Sequence, residues 1–150
     1  MYMRGAARLG VAIGLLGVTG ACGDPLGPAA NLTLLVSATP GVVILGDTVE
    51  LTGVAYNGAS ATIDAGVSCA PGIRFTVTNS VGSETDLYDG LAFICPRLDS
   101  QDLEPGETDV VEWRWVPNAV GEYTVRSTVM VKDGPTVRSR GRLVRVLAQP

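Results

Sequence analysis

From Val111 to Trp115 the chain alternates apolar and charged residues, Val-Glu-Trp-Arg-Trp, a period of two that fits a half-buried strand and no helix. The same stretch is punctuated by turn chemistry. Before it stands Glu104-Pro105-Gly106-Glu107, in which proline presets φ at the second turn position and glycine supplies the positive φ of a type II turn at the third. After it, Pro117-Asn118 breaks the pattern and Gly121-Glu122-Tyr123-Thr124-Val125 starts another strand. Tyr123, Val125, Val129 and Val131 fall on one face of that strand, and Thr124, Arg126, Thr128 and Lys132 on the other. Asp133-Gly134-Pro135 predicts a hairpin connection into a third strand from Thr136 to about Leu147. Three successive antiparallel strands holding both tryptophans predict the core of a β-sandwich.

The preceding chain carries the same signals. Asn31 to Ser37 predicts a first strand with Leu32, Leu34 and Val36 on one face, turned by Thr39-Pro40-Gly41 and continued after a kink by Val42 to Leu45. Thr48 to Tyr56 follows, with Val49, Leu51 and Ala55 inward, and Asn57-Gly58 marks a turn. The small-residue run Ala59 to Ser68 gives no clear pattern. Gly72 to Asn79 resumes with Ile73, Phe75 and Val77 inward, and Leu91 to Cys95 is a short apolar strand. About seven strands result, the number an all-β, immunoglobulin-like antiparallel sandwich needs. With 150 residues, 19 glycines and only 17% charged side chains, the chain suits one turn-rich β domain.

Residues 1–21 have the anatomy of an export signal. Arg4 and Arg8 supply the positive end, Leu9 to Val18 the short apolar run, and Thr19, Gly20 and Ala21 the small residues. Val18-Thr19-Gly20-Ala21-Cys22 resembles the lipobox of bacterial lipoproteins, with Thr19 where leucine is usual. That resemblance implies lipidation of Cys22, which becomes the mature N-terminus. An ordinary cleaved signal and a retained anchor are the alternatives, and all three export the domain to the periplasmic or extracellular side of the cell envelope. Residues 22–30, rich in Gly and Pro, are expected to be a flexible tether to a domain spanning 31–150.

Leu103-Glu104-Pro105-Gly106-Glu107, the tryptophan strand, Gly121-Glu122-Tyr123-Thr124-Val125 and Phe75-Thr76-Val77-Thr78-Asn79 together resemble bacterial immunoglobulin-like domains related to an intracellular proteinase inhibitor, over about residues 67 to 147. The resemblance implies a sandwich. No stretch matches a reactive loop, so inhibition of a proteinase does not come with it. In such a fold Tyr123 is either a tyrosine corner or an ordinary core aromatic.

Candidate chemistry is sparse. The chain has no histidine, which excludes Ser-His-Asp and Cys-His catalysis and His-ligated metals. With Cys22 lipidated, Cys69 and Cys95 remain as a pair in an oxidising compartment, and a structural disulfide is expected over a zinc site or a redox pair. Carboxylates gather between Glu84 and Glu112; Asp99, Asp102 and Glu104 are candidates for calcium, with a solvated acidic loop as the plainer reading. Arg138, Arg140 and Arg142 share one face at period two, while Arg145 breaks the alternation and points to a bulge near Gly141. The arginine stripe either docks an acidic partner or guards a sheet edge. The resulting expectation is a membrane-tethered, non-catalytic binding module without a cofactor. It would serve a protein partner of the envelope as an accessory subunit, with no nucleic acid; the alternative is a proteinase-inhibitor-like protein acting through a loop.

Overall fold

A computed structural model describes residues 27–65, 72–89 and 102–150. The strands are β1 (Leu32–Thr39), β2 (Val42–Ile44), β3 (Val49–Asn57), β4 (Ile63–Asp64), β5 (Ile73–Asn79), β6 (Glu84–Asp86), β7 (Asp102–Leu103), β8 (Thr108–Trp115), β9 (Gly121–Met130), β10 (Thr136–Arg138) and β11 (Arg142–Leu147). They form a smaller sheet, β1-β3-β8, and a larger one, β2-β11-β9-β5-β6, in which β10 also pairs with β9. β4 and β7 make a separate two-stranded ladder. The long strands thus divide as β1, β3 and β8 against β5, β9 and β11, an immunoglobulin-like β-sandwich.

Alternation decides which side chains meet between the sheets. Val36, Val49, Leu51, Phe75, Val77, Trp115, Val125, Val144 and Val146 form one buried cluster, with Trp113 and Tyr123 packed against it. Leu32, Leu34, Ala55, Ile63, Ile73, Leu103 and Val129 form a second at one end. Gly53 lies where a Cβ would come within 2.7 Å of Ile73 Cγ2 and 3.1 Å of Phe75 Cζ, so any larger residue there would push the sheets apart.

Several turns take the expected form. Gly106 has φ 79 and the Glu107 amide donates to the Glu104 carbonyl at 3.0 Å, closing the type II turn. Tyr123 is a tyrosine corner: its hydroxyl donates to the Ala119 carbonyl at 2.9 Å while its ring meets Trp115 edge-on at 5.2 Å.

Other expectations need correction. The strands β8 and β9 are not neighbours. β8 pairs with β3 in the smaller sheet, and the chain crosses the sandwich before β9. β2 does not prolong β1 either, because it joins the larger sheet and runs parallel to β11. The tether boundary at residue 30 falls inside a short 3-10 helix, Gly27–Asn31, in which Ala29 is buried, so the folded unit takes in residues before 31. Asn57 is more than a turn residue: it is fully buried, its Nδ2 donates to the carbonyls of Ala61 (2.9 Å) and Leu103 (2.7 Å), and its Oδ1 accepts from the Ala59 amide (2.8 Å). The expected strand Leu91 to Cys95, and Cys22, Cys69, Cys95 and Asp99, lie outside the described residues.

Candidate functional site

The single strand expected from Thr136 to Leu147 is two strands separated by a bulge. Arg138 pairs with Thr128 and Arg142 with Val125, so Ser139, Arg140 and Gly141 face only Ser127 and Arg126 on β9. A single extra residue reverses the alternation. Before the bulge, Val137 and Ser139 face inward; after it, Val144 and Val146 do. Serine chemistry holds the bulge. Ser139 N–H donates to the Ser127 carbonyl at 2.9 Å, and the Ser139 hydroxyl accepts from the Ser127 amide at 2.9 Å. The Ser127 hydroxyl then reaches across the sandwich and donates to the Leu35 carbonyl on β1 at 3.1 Å.

This geometry corrects the arginine stripe. Arg138 shares the outer face with its partner Thr128, and it reaches Glu84 at 2.8 Å. Arg142 opposes the fully buried Val125, hence lies on the other face, and its Nε donates to the Val36 carbonyl of the smaller sheet at 3.3 Å. Arg140 sits in the bulge, exposed. The outer face gains an arginine that the stripe did not include. Arg126, beside Thr76 in the ladder, lies next to the bulge, where a Cβ on Gly141 would be 3.5 Å from its guanidinium carbon and would overlap Thr124 Cγ2. A residue larger than glycine at 141 would collide with Thr124 and crowd Arg126.

Arg74 extends the face towards β6. It forms an ion pair with Asp86 at 2.7 Å and lies 5.7 Å from the centre of the Tyr88 ring. Tyr88 itself is buried against Phe75 and Trp113. Burial, reinforced by the Asp86 charge and opposed by Arg74, pushes the Tyr88 hydroxyl up to about 12. Among the described residues the carboxylates Glu84, Asp86 and Glu122 pair with Arg138, Arg74 and Arg145, whereas Arg126 and Arg140 have no ion pair. Thr76, which pairs with Arg126 in the ladder, has its Oγ1 buried without a hydrogen-bond partner, as does Thr78. Guanidinium groups without carboxylate partners suit planar, bidentate recognition of carboxylate.

A second concave feature opens at the end of the sandwich, a cavity of about 250 Å³. Leu32, Ile63, Ile73, Leu103 and Val129 of the second core cluster line it, with exposed Asp102, Glu107 and Asp109. Its described lining contains no histidine, cysteine or lysine. Glu104, a candidate calcium ligand, instead accepts a hydrogen bond from the Thr62 hydroxyl at 2.8 Å. Among the described residues no cluster of three His, Cys, Asp or Glu side chains is arranged to hold a metal ion. None of their helices is long and apolar enough to cross a membrane.

No protein-family model and no curated protein matches the sequence. Solved structures share the fold. The alkylpurine DNA glycosylase AlkC of Pseudomonas fluorescens, bound to DNA containing an abasic site analog, superposes with TM-score 0.54 at 15% identity over 83% of this chain. The sporulation control protein Spo0M of Bacillus subtilis gives TM-score 0.54 at 12% identity over 80% of this chain. The CARDB domain of the PF1109 protein from Pyrococcus furiosus, in complex with di-metal ions, gives 0.47 at 16% identity over 79% of this chain and 94% of its own. The chain spans 32% of the glycosylase's length and 51% of the sporulation protein's. At these identities the likeness is one of fold, and neither protein's activity comes with it.

Proposed function

We propose that the chain is a non-catalytic binding module, exported and tethered to a cell-envelope membrane through Cys22, that serves as an accessory subunit by docking an acidic protein partner. The observation that carries this reading is the pair of arginines without carboxylates, Arg126 and Arg140, on the outer face of the larger sheet. Like charges brought together without counter-charges cost stability. A partner carboxylate would offset that cost and find hydrogen-bond donors already positioned. The absence of histidine leaves no imidazole for acid–base or nucleophilic catalysis to use.

The test starts from detergent-solubilised membranes of cells expressing the tagged full-length protein. One partner is expected to co-purify with the parent, to be lost with the double variant Arg126→Glu/Arg140→Glu, and to dissociate as salt rises. Intact mass should place an acylated Cys22 at the N-terminus. Equal recovery of every associated protein by parent and variant would remove the arginine face from the proposal, and a membrane-bound form retaining Met1 would replace lipidation with an anchor.

A further inference from the structure

At the end of β3 the pair Asn57-Gly58 sets a reactive sequence inside a closed structure. An asparagine followed by glycine is open to attack on its side-chain carbonyl by the next backbone nitrogen, because glycine puts no side chain in the way. Here the asparagine is fully buried and all its polar groups are engaged. Both Nδ2 protons go to the Ala61 and Leu103 carbonyls, and Oδ1 accepts from the Ala59 amide. Its backbone amide donates to the Glu107 carbonyl at 3.0 Å, and its carbonyl accepts from the Gly106 amide at 2.8 Å. The attacking atom is held too, since the Gly58 amide donates to the Asn31 carbonyl at 3.0 Å.

We infer that Asn57 is a self-modification site that folding closes and unfolding opens, so that a chain left unfolded returns to a weaker fold. In the unfolded chain the Gly58 nitrogen gives its proton to solvent base and forms a bond to Asn57 Cγ. The Cγ–Nδ2 bond breaks, and the side-chain nitrogen takes up a proton and leaves as ammonia. Water then opens the cyclic imide at either carbonyl. The product is aspartate at 57, or its isomer in which the backbone runs through the side chain. In the folded domain the step cannot begin: bringing Cγ to the Gly58 nitrogen breaks the side chain's three hydrogen bonds at a position without solvent contact. Neither product restores the site. Aspartate sets a carboxylate against two carbonyls where two donors stood, and the isomer lengthens the backbone between β3 and Gly58, displacing Gly58 from Asn31. Both lose the tie from β3 to Leu103 of β7.

The experiment keeps purified full-length protein in mildly alkaline buffer, one sample folded and one in guanidinium chloride. Mass spectrometry follows the peptide containing residue 57, in which ammonia lost and water gained leave a small increase in mass. The unfolded sample should modify at least about a hundredfold faster, because buried segments of a native fold open only rarely. After dilution from denaturant, the urea midpoint of the refolded parent should fall in step with the fraction modified. Gly58→Ala supplies the control. Its Cβ would lie 3.2 Å from the Asn31 carbonyl oxygen, a contact that a small shift relieves. In denaturant, where folding plays no part, the methyl group should slow modification at least about tenfold. The variant should also keep its own midpoint through the same incubation. An unfolded sample that stays unmodified, a folded sample that keeps pace with it, a modified parent with an unchanged midpoint, or a variant that reacts like the parent would each overturn the inference.

Discussion

The amide of Ser127 donates to the hydroxyl of Ser139 at 2.9 Å, where an unbulged ladder would have offered the Ser139 carbonyl. A side-chain oxygen thus completes a backbone ladder inside the sandwich, since Ser127 is fully buried and Ser139 nearly so. Ser139→Ala would leave a buried donor without its acceptor and is expected to cost about 1–3 kcal/mol. Urea titration of parent and variant measures it; a loss within error would mean that the bulge rearranges to recover its carbonyl.

Asn57 satisfies three backbone groups at once from a fully buried position. Asn57→Ala should destabilise by roughly 2–4 kcal/mol. Asn57→Asp should be no better, because an acid faces the Ala61 and Leu103 carbonyls with no proton to give. Thermal unfolding of both variants decides this, with an Asp variant near parental stability as the contrary result.

Tyr123→Phe keeps the ring against Trp115 and removes only the bond to Ala119. The expected cost is about 0.5–1.5 kcal/mol, measured by the denaturation midpoint at unchanged slope. A shift in slope would instead signal a change in how the loop between β8 and β9 packs.

Tyr88 keeps its proton in the folded protein up to about pH 12, against 10.0 for an ordinary tyrosine, chiefly because ionisation would place charge among Phe75 and Trp113. Its contribution is full below pH 10 and is lost as pH rises from 10 towards 12, by roughly 1–3 kcal/mol. Stability measured across that range should fall less steeply in Tyr88→Phe than in the parent. Parallel curves would place the alkaline loss elsewhere.

Cys69 and Cys95 are expected to be joined in protein taken from the envelope, so thiol reagents should label neither before reduction. Closing a loop of about 27 residues is worth roughly 3–4 kcal/mol in the chain-entropy account. Two free thiols would return the pair to a redox role.

What could be read from the sequence was what local chemistry dictates. Pro105-Gly106 specifies its turn through φ alone, and the inward sets of β1, β3 and β5 follow from period two. Arg145, out of step with the arginines before it, marked a bulge that the register places at Ser139 to Gly141. Pairing partners were not legible, because alternation says which face is buried and not which strand lies alongside. Hence β2 changed sheets and β8 parted from β9. Arg142 was misplaced because counting by two carried the pattern through the very residue that reverses it. Arg126 was missed because its position matters only once Gly141 is beside it. Asn57 read as a turn signal because Asn-Gly is one; its burial depends on Leu103, far along the chain.

The parallel pairing of β2 with β11 gives the domain a mechanical character. The Leu45 amide bonds the Leu147 carbonyl at 2.8 Å and the Arg145 amide the Gly41 carbonyl at 2.9 Å, tying the first strand of the larger sheet to the last. A pull applied between the segment before β1 and the segment after β11 draws these two strands in opposite directions along their length. The ladder is then loaded in shear, its bonds sharing the load together instead of opening one by one as in a zipper. Set between a membrane and a partner, such a sandwich would resist extension along the line joining its two ends and would peel more readily when lifted by an edge.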